Sequence, residues 1–184
     1  VQFARSYLRT TSLADQAALT SLIMVTHLGS DLNQVFTGYD RTAIMLGQML
    51  GSADLLSQLS DRWYLERCYY HLYPELVLGG GDRVRTADGR GQLLYRDAFD
   101  LLSKTRRFYE NVVCKRLDQD FQQVARYLAV HFAGTDPYAE AIHRNLDRLA
   151  RVVADGALGL LQREPLTTTN NLAAVYHTPP SHGH

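Results

Sequence analysis

Asp54 is a carboxylate among small and apolar neighbours in the stretch GQMLGSADLLSQLSD, residues 47 to 61. Helical periodicity places Gly47, Gly51, Asp54 and Gln58 on one stripe, at spacings of four, three and four. Because glycines let another helix approach closely, we expect Asp54 to be partly buried at a helix contact. A carboxylate in that position needs a hydrogen bond, an ion pair or a bound cation.

These residues by themselves leave two explanations for Asp54 open. An arginine such as Arg41 or Arg62, or the N-terminus of a neighbouring helix, would satisfy the carboxylate without any functional role. A divalent cation would satisfy it equally well and would make Asp54 a metal ligand.

Arginines provide the second set of candidate groups. Lys104, Arg106 and Arg107 form a basic cluster, which is ordinarily a solvated helix surface. A guanidinium group can also bind a phosphate through two parallel hydrogen bonds. We therefore predict Arg62 and Arg107 as substrate-binding residues that contact a phosphate.

A family resemblance gives Asp54 a more specific role. The run TAIMLGQMLGSADLLSQLSDRWYLERCYYHLYPEL resembles the C-terminal half of an HD domain, a superfamily of helical metal-dependent phosphohydrolases. Its Ala53-Asp54-Leu55 resembles the family motif that carries the last metal ligand, and Tyr64-Leu65-Glu66 resembles a stretch of bacterial members. The resemblance implies that Asp54 binds a divalent metal ion (Mn²⁺, Fe²⁺, Mg²⁺ or Zn²⁺), which activates water for attack on phosphorus.

The chain departs from this family in one respect. It contains no His-Asp dipeptide, and its first histidine is His27, so the family's other ligands would lie upstream of Val1. The absent Met and the uncapped first helix favour a longer protein, whereas the alternative is a member that has lost its metal.

Two functions follow: a metal-dependent phosphohydrolase acting on a phosphorylated small molecule or nucleotide, or an inactive helical module that binds a nucleotide or a protein.

Composition narrows the class of protein. The 184 residues are 46% hydrophobic and 21% charged, with 19 basic and 19 acidic residues, so net charge gives no strong nucleic-acid signal. No apolar run is long enough for a membrane span, and Cys68 and Cys114 lack metal-ligand spacing. We expect a cytoplasmic protein with reduced thiols, and the aromatic-rich segment from Trp63 to Tyr73 makes a homodimer a candidate assembly.

Apolar residues recur every three to four positions, which predicts an all-α, HD-domain-like helical bundle with no sheet larger than a hairpin. One domain is expected over residues 1–165, followed by a polar tail at 166–184. The predicted helices and connections are listed in chain order: helices 2–9 and 14–29, an irregular piece 30–38, helices 40–59 and 62–72, a loop 74–91 that is either simply exposed or a lid, a broken helix 92–132, and a helix from Pro137 to about Gln162. The helices 14–29 and 40–59 are expected to pack through the glycine stripe.

Overall fold

The computed structural model describes residues 2–11, 14–85 and 91–161 of the chain. The predicted tail at 166–184 lies outside the described residues. Within the described residues the fold is helical, and its one sheet has two strands, so the predicted all-α class is confirmed.

The elements are listed here in chain order: α1 (Gln2–Leu8), a 3₁₀ helix (Ala14–Thr26), α2 (Leu32–Val35), α3 (Arg41–Ser60), α4 (Tyr64–Arg67), a π turn (Cys68–Leu72), α5 (Tyr73–Gly79), β1 (Arg83–Arg85), β2 (Gly91–Leu93), α6 (Ala98–Phe108), two π turns (Tyr109–Val113 and Arg116–Asp120), a 3₁₀ turn (Val124–Arg126), α7 (Tyr127–His131), α8 (Pro137–Asp155) and a final 3₁₀ turn (Leu158–Leu160). The strands β1 and β2 are antiparallel, with Val84 opposite Gln92.

Aspartates begin the two helices that matter most for the site. Asp40 accepts a hydrogen bond from the backbone N–H of Ala43 at 2.8 Å and caps α3. Asp136 accepts from Tyr138 and Ala139 and caps α8, with Pro137 in its first turn. Both starts agree with the sequence prediction, because the cap depends on local residues alone.

Three predicted segments were wrong in detail, and the broken helix expected over 92–132 begins only at Ala98, because Gly91–Leu93 forms β2. The piece at 30–38 contains the short helix α2, which Asp31 caps through the N–H of Asn33 at 2.9 Å. The segment at 74–91 begins as helix, because α5 runs to Gly79 with its proline in the first turn, and then forms the β1–β2 hairpin.

The third error is the end of α8, which stops at Asp155 rather than near Gln162. Gly156 follows with a φ of 61°, the left-handed conformation that ends helices. The apolar residues beyond it continue the helical pattern in sequence but form a 3₁₀ turn instead.

The predicted break within 92–132 is confirmed and occurs after Asp120. Gln122 and Gln123 have φ values of 51° and 57°, which no regular helix accommodates. The turn lets Phe121 enter the core, where its side chain is almost fully buried.

The glycine stripe of α3 is buried, as expected, but it has two different partners. A Cβ at Gly47 would lie 3.3 Å from Leu22 of the first 3₁₀ helix and 2.8 Å from Phe36, which agrees with the predicted contact. A Cβ at Gly51 would instead lie 2.3 Å from Phe121, which belongs to the turn after the second π segment. The stripe therefore holds α3 against two separate parts of the chain.

Among the described residues, no helix is long and apolar enough to cross a lipid bilayer.

We predict that Gly51→Ala lowers the free energy of unfolding by about 1–3 kcal/mol, because the added methyl group overlaps the buried Phe121 ring. Urea denaturation measures this change. Gly79→Ala is the matched control, since a Cβ there meets nothing within 4 Å. Equal stability of the two variants would show that Gly51 is not closely packed.

Candidate functional site

The helix α8 carries arginines on one stripe and apolar residues on another. Arg144, Arg148 and Arg151 follow the spacing i, i+4 and i+7, which places them on one side of the helix. The buried residues of α8 are Ile142, Asn145, Leu146, Leu149 and Val152. The same helix therefore packs the core and presents cations along its length.

These arginines line a cavity of about 360 Å³ between α8 and the end of α3. We call this cavity the arginine pocket. Its lining residues are Ser60, Arg62, Ala141, Arg144, Asn145, Asp147, Arg148 and Arg151. Four arginines and one aspartate thus line one cavity.

Asn145 fixes the two walls of the arginine pocket relative to each other. Its side-chain amide donates hydrogen bonds to the carbonyl oxygens of Leu59 and Asp61, both at 2.8 Å. These carbonyls belong to the last turn of α3 and the residue after it, and the carbonyl of Asp61 also accepts a hydrogen bond from the backbone N–H of Tyr64 at 2.9 Å. The bonds hold the segment that carries Arg62 against α8.

One residue of the lining, Arg148, belongs to a buried ion pair. Glu66 on α4 has no exposed surface, and both of its carboxylate oxygens accept hydrogen bonds from Arg148, with Nη1 at 3.1 Å from Oε2. The Nη2 group of Arg148 also donates to the carbonyl oxygen of Leu160. One guanidinium therefore joins α4, α8 and the turn after α8.

Arg144 and Arg151 have weak or no ion pairs among the described residues, and Arg62 contacts an aromatic ring. Arg144 pairs with Glu140 at 3.7 Å, and both side chains are mostly exposed, so this pair contributes little. Arg62 lies over the ring of Trp63, with Cζ 4.4 Å from the ring centroid. Within the described part of the chain, Arg151 has no ion-pair partner.

This arrangement is chemically suited to an anion. Guanidinium groups stay charged at any physiological pH and donate hydrogen bonds in a planar fork that matches phosphate or carboxylate oxygens. Asp147 adds one acceptor to the wall, which suits a hydroxyl or amine group on the same ligand.

Of the two predicted phosphate contacts, the structure places only Arg62 in this pocket. Arg107 is exposed on α6 and does not line the arginine pocket. The two residues are therefore not brought together here, and the role of Arg107 stays a prediction.

Asp54 is half-buried on α3, and its Oδ1 accepts a hydrogen bond from the side-chain amide of Gln58 at 3.0 Å. Among the described residues its carboxylate has no arginine partner, so the proposed pairing with Arg41 or Arg62 does not occur. In the same part of the chain, no group of three or more His, Cys, Asp or Glu residues could hold a metal ion. The metal role of Asp54 therefore stays a prediction.

The pKa shifts of the titratable groups near the core are explained by burial and by hydrogen bonds that hold the fold together. Burial raises the pKa of the Cys68 thiol to about 11, more than its hydrogen bond with Tyr64 lowers it. The thiol is therefore protonated at neutral pH and is a poor nucleophile. A hydrogen bond from Lys104 lowers the pKa of Asp100, which also accepts a hydrogen bond from the backbone N–H of Arg96 and so ties the segment after β2 to α6.

Sequence reasoning missed most of the arginine pocket. The spacing of Arg144, Arg148 and Arg151 predicts that they share one face of a helix. The basic residues at 104–107 are closer together in sequence, and the predicted phosphate contact Arg107 comes from that cluster. Glu66 carried no such signal, because its partner lies 82 residues away.

The chain was compared with protein-family models, curated proteins and solved structures, and none of them matches it.

We predict that Glu66→Gln lowers the free energy of unfolding by about 3–5 kcal/mol, because it leaves Arg148 without its buried counter-charge. Glu140→Gln is the matched control and should cost at most about 1 kcal/mol, since its pair with Arg144 is exposed. Chemical denaturation of both variants tests this. Similar small losses in both would mean that the buried pair is not formed.

Proposed function

We propose that this protein is a helical module that binds a phosphorylated small molecule in the arginine pocket. The observation that supports this proposal is the convergence of four arginines on one cavity of about 360 Å³. That volume falls in the range of small-molecule sites, which are clefts of roughly 300–1,000 Å³.

The balance of charge in the pocket favours an anionic ligand. Glu66 neutralises Arg148, and Asp147 offsets one further cation, so the lining keeps a positive excess. Like charges gathered in one cleft repel one another, and a bound anion relieves that repulsion. A phosphate ester is the anion that best uses planar guanidinium donors.

The proposal is a form of the non-enzymatic alternative raised by the sequence, in which a helical module binds a nucleotide or a protein. It requires only residues of the described chain, and it makes no use of a metal ion. Cys68 and Cys114 are free thiols, which fits the proposed cytoplasmic location.

Isothermal titration calorimetry with fructose 6-phosphate tests this function. We predict that Arg62→Gln and Arg144→Gln each weaken binding about tenfold, because each removes one charged donor to the phosphate. Arg107→Gln is the control and should leave the dissociation constant unchanged, since Arg107 lies outside the pocket. Absence of binding, or an equal loss in the Arg107 variant, would refute the proposal.

A metal-dependent phosphohydrolase of the HD type is the second candidate. It is supported by the motif Ala53-Asp54-Leu55 and by the setting of Asp54, whose carboxylate has a neutral amide as its partner and so keeps an uncompensated charge. Asp54 alone does not make a metal site, and the described residues supply no further ligands beside it. We therefore derive no catalytic step from this candidate.

For that candidate we predict a stoichiometric divalent metal in the purified protein and its loss in Asp54→Asn and Asp54→Ala. Both changes remove the negative ligand charge while leaving the half-buried site folded. Elemental analysis measures metal content, and Asp118→Asn, an exposed carboxylate elsewhere, is the control. Metal retained in both Asp54 variants, or absent from the wild type, would exclude Asp54 as a ligand.

A further inference from the structure

The charges of the arginine pocket are unevenly compensated along α8. Arg148, in the middle of the stripe, gives both of its terminal nitrogens to Glu66 and Leu160. Asp147 lies beside it and is negative. Glu66 therefore balances the charge of Arg148, and Asp147 leaves the centre of the pocket with a net negative charge.

The uncompensated cations lie at the two ends. Arg144 and Arg151 are seven residues apart, which corresponds to about 10 Å along the helix axis. Arg144 has only its weak exposed pair with Glu140, and Arg151 has no ion-pair partner among the described residues. The pocket thus has two cationic ends rather than one cationic centre.

The backbone that carries Arg62 lies near the turn of α8 that carries Arg144. Asn145, next to Arg144 in sequence, holds the carbonyls of Leu59 and Asp61, and the chain reaches Arg62 one residue later. One end therefore offers two arginines and the other offers Arg151 alone. A single phosphate group is smaller than the separation of the ends, because its hydrogen bonds reach only about 3 Å from donor to acceptor.

We propose that the arginine pocket binds a ligand with two separate anionic groups joined by a hydroxylated spacer, of the sugar bisphosphate type. One phosphate binds Arg62 and Arg144, the other binds Arg151, and Asp147 accepts a hydrogen bond from a spacer hydroxyl. This assignment rests on the proposed function, since it specifies the ligand of the same site.

The test compares four probes by isothermal titration calorimetry: inorganic phosphate, fructose 6-phosphate, fructose 1,6-bisphosphate and 1,6-hexanediol bisphosphate. We expect fructose 1,6-bisphosphate to bind at least tenfold tighter than fructose 6-phosphate, because only the bisphosphate reaches both ends. Hexanediol bisphosphate, which has no hydroxyls on its spacer, should bind severalfold weaker than the sugar bisphosphate.

Two variants separate the roles of the ends and the centre. Arg151→Gln should lower the affinity for fructose 1,6-bisphosphate by a much larger factor than the affinity for fructose 6-phosphate. Asp147→Asn should remove the preference for the hydroxylated spacer. Arg107→Gln should change none of these affinities, since Arg107 lies outside the pocket.

The outcomes distinguish this inference from the proposed function. If the monophosphate and the bisphosphate bind equally and Arg62→Gln weakens both, the pocket binds phosphate but the two-ended ligand is wrong. If Arg151→Gln weakens both sugars alike, the separation into two ends is wrong. If none of the probes binds, the proposed function fails together with this inference.

Discussion

The buried pair of Glu66 and Arg148 is the interaction on which the rest of the structure depends. A carboxylate with no exposed surface is costly to bury, and both of its oxygens are satisfied by one guanidinium group. Because that guanidinium also holds the carbonyl of Leu160, three segments distant in sequence meet at one side chain. Hydrophobic contacts around Leu65, Leu102 and Val152 exclude water from the core beneath it, but they do not specify this geometry.

The same pair shapes the pocket above it. Arg148 lies between Arg144 and Arg151 on one stripe. Without Glu66, the stripe would carry three arginines within two helical turns and no buried counter-charge. Neutralising the middle one reduces the repulsion along α8 and leaves positive charge at the ends. In the proposed function, this buried pair determines which arginines remain available to an anion. Asn145 sets the opposite wall of the pocket by holding the end of α3.

Local chemistry explains what could be predicted from the sequence. Asp40 and Asp136 predict helix starts, because an N-cap depends only on the residues next to it. Gly51 predicts a close contact, because it has no side chain. The partner of Gly51 could not be predicted, since Phe121 reaches it from a turn with left-handed backbone at Gln122 that carries no glycine signal.

In the candidate site, too, residue types could be predicted from the sequence, but long-range partners could not. Arg62 was identified from its residue type, but the residues that make a pocket around it come from α8, some 80 positions later. Glu66 looked like part of a motif and proved to be the buried partner of an arginine. Long-range pairing of this kind is fixed by tertiary packing, which a single sequence does not reveal. The HD-domain resemblance and the metal role of Asp54 stay predictions.

A double-mutant cycle on Glu66 and Arg148 tests the central claim most directly. Glu66→Gln, Arg148→Gln and the double variant are compared with the wild type by urea denaturation. If the pair is buried and mutually dependent, the double variant is less destabilised than the sum of the single variants by about 0.5–3 kcal/mol, the range found for residues in one ion-pair network. Additive losses, with a coupling energy near zero, would contradict the account.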